Sequence, residues 1–67
     1  MTTTYNHKNT YQLNDLTKNS YAEFVPNTDG TVMVHSNEYL STETAVYYAN
    51  DAKSLFYSLI RQGYSIL

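Results

Sequence analysis

The longest periodic stretch of the chain is residues 42–62, TETAVYYANDAKSLFYSLIRQ. At 100° per residue its apolar side chains fall within an arc of about 140°, the pattern of an amphipathic helix that packs one face on a core. We therefore predict a single long helix near residues 42–62. The apolar arc holds Ala45, Tyr48, Ala49, Ala52, Leu55, Phe56, Leu59 and Ile60, and the opposite arc holds Glu43, Tyr47, Asn50, Asp51, Ser54, Tyr57, Ser58 and Arg61.

Both ends of this segment carry signals for a helix terminus. Ser41 can accept a backbone hydrogen bond as the N-cap, and Glu43 places a negative charge in the first turn. Arg61 lies in the predicted last turn, and Gly63 can adopt the left-handed conformation that closes a helix. Tyr64 is then expected to fold back on the last turn. The C-terminal end therefore has the more complete set of signals.

A β-hairpin is predicted upstream of the helix. Residues 20–25 (SYAEFV) and 31–36 (TVMVHS) are rich in β-prone side chains and flank the sequence PNTDG at residues 26–30. Proline sets φ and glycine accepts a positive φ, so this pentapeptide is suited to a turn. Alternation along the two strands assigns the buried face to Ala22, Phe24, Val32 and Val34.

The N-terminal third has a weaker pattern. Its alternation favours a solvent-facing edge strand that begins between Thr4 and Tyr11, followed by turns at residues 14–15 and 18–19. Residues 64–67 can add a short last strand. The predicted fold is α+β: one domain, residues 1–67, with a small antiparallel sheet of about three strands, a fourth at the C-terminus as an option, and the helix covering one face.

Size and composition limit what can stabilise this domain. A chain of 67 residues buries only about 60 % of the surface that its unfolded form exposes. Small domains of this kind usually depend on disulfides, a metal or a partner chain. There is no cysteine, and His7 and His35 are far apart with no acidic residues at ligand spacing, so we expect no disulfide, metal or other cofactor. A homodimer or a protein partner is the remaining source of burial.

The sequence also bears on location. No apolar run reaches the length needed to span a membrane, and the N-terminal MTTTYNHKNT lacks the apolar region of a secretory signal. We therefore expect a cytoplasmic protein with no membrane contact.

The residue patterns of the common catalytic classes are missing from the sequence. There is no Gly-x-Ser-x-Gly elbow, only two glycines and no paired carboxylates on the predicted strands, so we do not expect an enzyme. Nucleic-acid binding requires cations against phosphates, and the four Lys and Arg residues are scattered and outnumbered by six Asp and Glu. Stacking of tyrosines on unpaired bases, with help from Lys8 and Lys18, is kept as an alternative.

Tyrosine is the unusual component, with eight residues alongside nine Thr, seven Asn and six Ser. Tyrosine combines a large contact area with a polar tip, which suits protein interfaces. We predict that Tyr48 packs on the sheet while Tyr47 faces out as part of a partner-binding helix face. Alternatively, the tyrosines are half-buried on a thin core, with Tyr57 along the edge of the helix–sheet seam and Tyr47 merely exposed. The candidate contacts are Tyr47, Asn50, Tyr57 and Arg61, with Glu43 and Asp51 supplying acidic complementarity.

In length, absence of cysteine and richness in Asn, Thr and Tyr, the chain resembles small phage-encoded inhibitor proteins of the anti-CRISPR type. No motif accompanies this resemblance, so it assigns no functional residues. It implies a non-enzymatic protein from a phage or mobile element that binds a protein partner in the host cytoplasm. Such a protein would occlude a functional surface of a bacterial defence or nucleic-acid-processing complex. The alternatives are a nucleic-acid-binding accessory protein that uses tyrosine stacking, and a self-associating structural protein.

Overall fold

The computed structural model describes residues 4–37 and 43–66. They form one antiparallel sheet of five strands with one helix packed on it. The elements are β1 Tyr11–Asp15, β2 Ser20–Pro26, β3 Val32–Ser36, β4 Glu43–Tyr47, α1 Ala49–Arg61 and β5 Ser65–Ile66. The strand order is β4-β3-β2-β1-β5, so β4 and β5 lie at the two edges. The predicted α+β class is confirmed, with more strands than expected.

The helix is shorter than predicted because its expected first turns belong to the sheet. Residues 43–47 form β4 and pair with β3, with Val34 opposite Ala45. Thr44 and Val46 are β-branched, which favours an extended backbone. The helix therefore starts at Ala49, and Tyr48 is its N-cap residue, without a side-chain cap hydrogen bond. The predicted start near residue 42 is wrong, and the predicted N-cap Ser41 lies outside the described residues.

The predicted C-terminal end of the helix is confirmed. Gly63 has a φ of 109°, a value that L side chains rarely adopt. The Gly63 amide donates to the Ile60 carbonyl at 3.1 Å, and the Tyr64 amide donates to the Leu59 carbonyl at 3.1 Å. This pair of hydrogen bonds is the Schellman motif. It turns the chain directly into β5, the predicted last strand.

The predicted hairpin of β2 and β3 is confirmed. The Asn27 amide donates to the Thr31 carbonyl at 2.9 Å, and Gly30 takes a φ of 89°. Phe24 lies opposite Val34 in the register. The side chains on the helix-facing side are buried as expected: Ala22, Phe24, Val32 and Val34.

The N-terminal strand differs from its prediction in position. β1 begins at Tyr11, but it lies between β2 and β5 and is not an edge strand. Its central Leu13 is 0 % exposed, which a solvent-facing strand would not allow. Residues 14–15, predicted as a turn, extend β1, and the turn to β2 follows at residues 16–19, with Asn19 at a φ of 53°.

The core between sheet and helix is built largely from aromatic rings. Phe56 of α1 is fully buried, with its ring centroid 5.6 Å from Phe24 and 4.9 Å from Tyr5. The edge-on arrangement of Phe24 and Phe56 is a favourable geometry for aromatic pairs. Tyr11 and Tyr57 flank this cluster. The N-terminal segment before β1 is thereby anchored over the core through Tyr5.

Within residues 4–37 and 43–66, no helix has the length and apolar character needed to cross a lipid bilayer.

Asp15, at the end of β1, is a buried carboxylate held by its own turn. It accepts hydrogen bonds from the Thr17 hydroxyl at 2.6 Å and the Thr17 amide at 3.0 Å, and Lys18 Nζ lies 3.8 Å away. These hydrogen bonds, chiefly the one from the Thr17 hydroxyl, lower the pKa of Asp15 below its ordinary 3.8. The charged form is therefore favoured in the folded state.

Because of this pKa shift, the free energy of unfolding depends on pH in the acidic range. Because the folded pKa is the lower one, the contribution of Asp15 is complete above the unfolded pKa and is lost as pH falls through the folded pKa. We expect Asp15→Asn to lower Tm at neutral pH and to flatten the loss of stability between roughly pH 5 and pH 2. Thermal unfolding followed by circular dichroism across this range measures both effects, and Thr17→Ala should act in the same direction. An unchanged pH dependence in both variants would contradict the assignment.

Candidate functional site

The adjacent tyrosines 47 and 48 point to opposite sides of the sheet. Side chains alternate along a strand, so the inward position of Ala45 places Tyr47 inward as well. Tyr47 is half-buried and packs against the core. Tyr48, which continues the extended backbone with φ −66° and ψ 156°, is 76 % exposed. The prediction that Tyr48 packs on the sheet and Tyr47 faces out is therefore wrong, because both residues precede the helix.

Tyr57 holds the N-terminal segment in place. Its hydroxyl accepts a hydrogen bond from the Tyr5 amide at 2.8 Å, and its ring lies 5.5 Å from that of Phe56. The side chain is partly buried. This placement agrees with the alternative that put Tyr57 along the seam between helix and sheet.

The other predicted contact residues do not meet on one surface. Asn50 and Asp51 are exposed in the first turn of α1, and Arg61 is exposed in its last turn. At 1.5 Å of rise per residue, Asn50 and Arg61 are about 16 Å apart along the helix. Glu43 begins β4, and its side chain lies outside the described part of the structure. The predicted helix face is therefore not a continuous patch.

The feature that stands out is the free edge of β4. Among the described residues, β4 pairs only with β3, so its other side presents backbone N–H and C=O groups without a strand partner. Natural edge strands are usually protected by lysine, proline or a bulge. The strand ETAVY contains neither lysine nor proline, and its register with β3 is regular. The opposite edge, β5, is only two residues long.

One flank of this edge is an apolar patch on the side of the sheet that faces away from the helix. The register aligns Val25, Met33 and Val46 in one row across β2, β3 and β4. Val46 is 63 % exposed, and Tyr48, two residues further along the chain and just past the end of β4, is 76 % exposed. We call Val25, Met33, Val46 and Tyr48 the outer patch.

The other flank is a groove between the helix and the sheet that extends from β4 across β3 to β2. It has a volume of about 120 Å³, and its lining residues are Ala22, Val34, Ser36, Ala45 and Tyr47 from the sheet, Leu55 and Leu59 from α1, and Tyr64. Ala45 lines this groove and is nevertheless exposed, so the groove opens to solvent along β4. We call it the inner groove. Together with the free backbone of β4 and the outer patch, it makes the candidate site.

The polar side chains near the site form a cross-strand row. Gln12, Glu23, His35 and Thr44 are aligned by the register, and His35 Nδ1 lies 2.7 Å from the Thr44 hydroxyl. Throughout residues 4–37 and 43–66, no group of three or more His, Asp or Glu side chains has a geometry that could hold a metal ion. The arrangement at β4 is suited to binding an extended chain.

Comparisons with known protein families, with curated proteins and with solved structures gave no match.

Sequence reasoning did not find the β4 edge because the same residues also fit the helical arc. Ala45, Tyr48 and Ala49 follow the helical spacing, and this continuity concealed a strand end at Tyr47. A competing signal was present in Thr44 and Val46, two β-branched residues that alternate with Ala45 and Tyr47. A strand forms at these residues only because they pair with β3, and the periodicity within residues 42–62 contains no information about that pairing.

The hydrogen bond to Tyr57 can be tested directly. We expect Tyr57→Phe to lower the free energy of unfolding by about 0.5–1.5 kcal/mol, because the Tyr5 amide loses its acceptor. Tyr48→Phe is the matched control, since the Tyr48 side chain is mostly exposed, and its effect should stay within about 0.5 kcal/mol. Urea unfolding of both variants measures the difference. Equal effects would show that the Tyr57 hydroxyl does not stabilise the fold.

Proposed function

We propose that this chain is a non-enzymatic protein-binding domain that pairs an extended segment of its partner with β4. The main support for this proposal is that, among the described residues, β4 is an edge strand with the outer patch on one flank and the inner groove on the other. In strand addition, main-chain hydrogen bonds supply affinity, while alternate side chains of the added segment meet the two flanks and supply specificity. Binding covers the partner's segment, and the domain acts by that occlusion.

The exposure of Val46 and Tyr48 supports this proposal. Both lie on or beside the edge strand, where an unprotected apolar surface invites pairing with another chain. Among the described residues, Leu16 (87 %) and Ile66 (37 %) are also exposed large hydrophobic side chains, but they lie toward the opposite edge of the sheet. Leu16 is in the β1–β2 turn and Ile66 in the short β5, so neither has a long free edge beside it.

We also propose a biological role for this chain. The composition that resembles small phage-encoded inhibitors supports an inhibitor from a phage or mobile element, acting in the host cytoplasm. Its partner would then be a component of a bacterial defence or nucleic-acid-processing complex. Glu43, the first residue of β4, and Asp51, in the first turn of α1, are proposed to favour a basic partner. Tyr47 and Asn50 contribute contacts beside the edge, whereas Tyr57 and Arg61 lie further along the helix.

The nucleic-acid alternative has less support. It requires free cations near exposed rings, and Lys18 lies 3.8 Å from the Asp15 carboxylate. The exposed ring of Tyr48 is next to the acidic first turn of α1, which contains Asp51. Because Lys53 follows Asp51 by two residues, the charge near the ring is mixed, and it lacks the cationic excess that phosphate binding requires.

Capture from bacterial lysate with two matched double variants tests the proposal. Val46→Lys with Tyr48→Lys removes two exposed apolar side chains at the β4 edge and adds two charges that discourage strand addition. Leu16→Lys with Ile66→Lys makes the same change at the other end of the sheet. We expect the first variant to capture at least about tenfold less partner protein than the unmodified chain, and the second to capture the same amount.

Nuclease treatment and a folding check complete this experiment. Capture that survives nuclease and is lost only in the β4 variant, with both variants folded by circular dichroism, supports the proposal. Equal retention by both double variants would place the binding surface elsewhere and overturn it. Loss of all capture with nuclease would favour the nucleic-acid alternative.

A further inference from the structure

The inner groove lies where a strand added to β4 would place one of its side chains. Neighbouring antiparallel strands are about 4.8 Å apart, and directly opposed residues project to the same face with Cβ atoms about 4.5–5.5 Å apart. Ala45 is the central residue of β4, and its short side chain faces the groove. A residue opposite Ala45 therefore projects on the helix side of the sheet, next to the part of the groove that Ala45 lines.

The size and lining of the groove limit which side chain fits. Its volume of about 120 Å³ is somewhat less than the ~150 Å³ of an apolar cavity that holds benzene. Its walls include the aliphatic side chains of Val34, Leu55 and Leu59, and Ser36, Tyr47 and Tyr64 also line it. A branched aliphatic side chain fills such a space without leaving a buried polar group unpaired. An indole ring is too large, and a methyl group leaves most of the groove empty.

We propose that the inner groove is a specificity pocket for one leucine or isoleucine of a partner segment that pairs with β4. This inference rests on the proposed function and names the chemistry of the segment. Charge selects the segment less sharply than shape, because the exposed Asp51 in the first turn of α1 is followed two residues later by the exposed Lys53. The segment is accordingly a β-prone aliphatic stretch that supplies the leucine or isoleucine at its inward position.

A second copy of this chain supplies this side chain poorly. The described inward residues of β4 are Ala45 and Tyr47. Ala45 is too short to reach across, and the ring of Tyr47 already packs against the core of its own chain. Pairing of two β4 strands thus leaves both grooves largely empty, whereas a foreign segment with leucine at the inward position fills the groove.

A peptide series on the full chain tests the pocket. The host peptide is Lys-Thr-Val-Leu-Val-Thr-Lys, blocked at both ends, whose central leucine shares a face with its threonines and faces the groove. Peptides with alanine or tryptophan at the centre are compared with it. Chemical shifts of the β4 amides report pairing at the edge, and those of the Leu55 and Leu59 methyl groups report entry into the groove. We expect the leucine peptide to bind at least about tenfold more tightly than the other two.

Two substitutions that introduce the same ring at different places provide the control. Ala45→Phe fills the groove and should abolish the preference for leucine over alanine. Leu16→Phe places the ring in the exposed β1–β2 turn, away from β4, and should preserve that preference. If Ala45→Phe does not fold, the three peptides on the unmodified chain still decide the question.

The possible failures of the pocket and of the proposed function are distinguishable. Shifts at the β4 amides with equal affinity for the leucine and alanine peptides would overturn the pocket while leaving binding at the edge intact. Absence of shifts at β4 with every peptide would overturn both. Displacement of the peptides by self-association of the chain, seen as a concentration-dependent sedimentation coefficient, would assign the edge to a second copy and overturn the pocket as well.

Discussion

Backbone pairing between β3 and β4 commits residues 43–47 to a period of two, and the arrangement of the candidate site depends on this constraint. Because the strand alternates, Tyr47 turns toward the core while Tyr48 reaches solvent. The helix can begin only after the strand ends, so α1 starts at Ala49. A free edge, an exposed patch and an open groove all follow from the same five paired residues.

The groove also reflects a mismatch between the widths of the two layers. Five strands have four spacings of about 4.8 Å, so the sheet is roughly 19 Å wide between its outer strands. A helix with its side chains is about 10–12 Å across, so a single helix leaves part of the sheet uncovered. The buried helix residues Ala52, Phe56 and Leu59 fix α1 over the aromatic core. The uncovered part lies along β4, where Ala45 is exposed although it faces the helix side.

The sequence predicted correctly those elements that are determined by residues within the element itself. The PNTDG turn specifies the β2–β3 hairpin, and Gly63 specifies the end of α1, because each needs a backbone conformation that few residues provide. The beginning of α1 escaped prediction because residues 43–47 satisfy two local patterns, and the choice is made by pairing with β3. The tyrosine-rich composition indicated an interface, yet the orientation of Tyr47 and Tyr48 could not be derived until the strand was known.

Nuclear magnetic resonance of the isolated chain tests the β3–β4 pairing most directly. We expect extended secondary chemical shifts for residues 43–47 and alternating protection of the β4 amides from hydrogen exchange. We also expect cross-strand contacts between Val34 and Ala45 and between Met33 and Val46. Alternation is expected because β4 bonds to β3 on one side and, within residues 4–37 and 43–66, has no strand partner on the other. Helical shifts through residues 43–47, with sequential amide contacts continuing into α1, would contradict it.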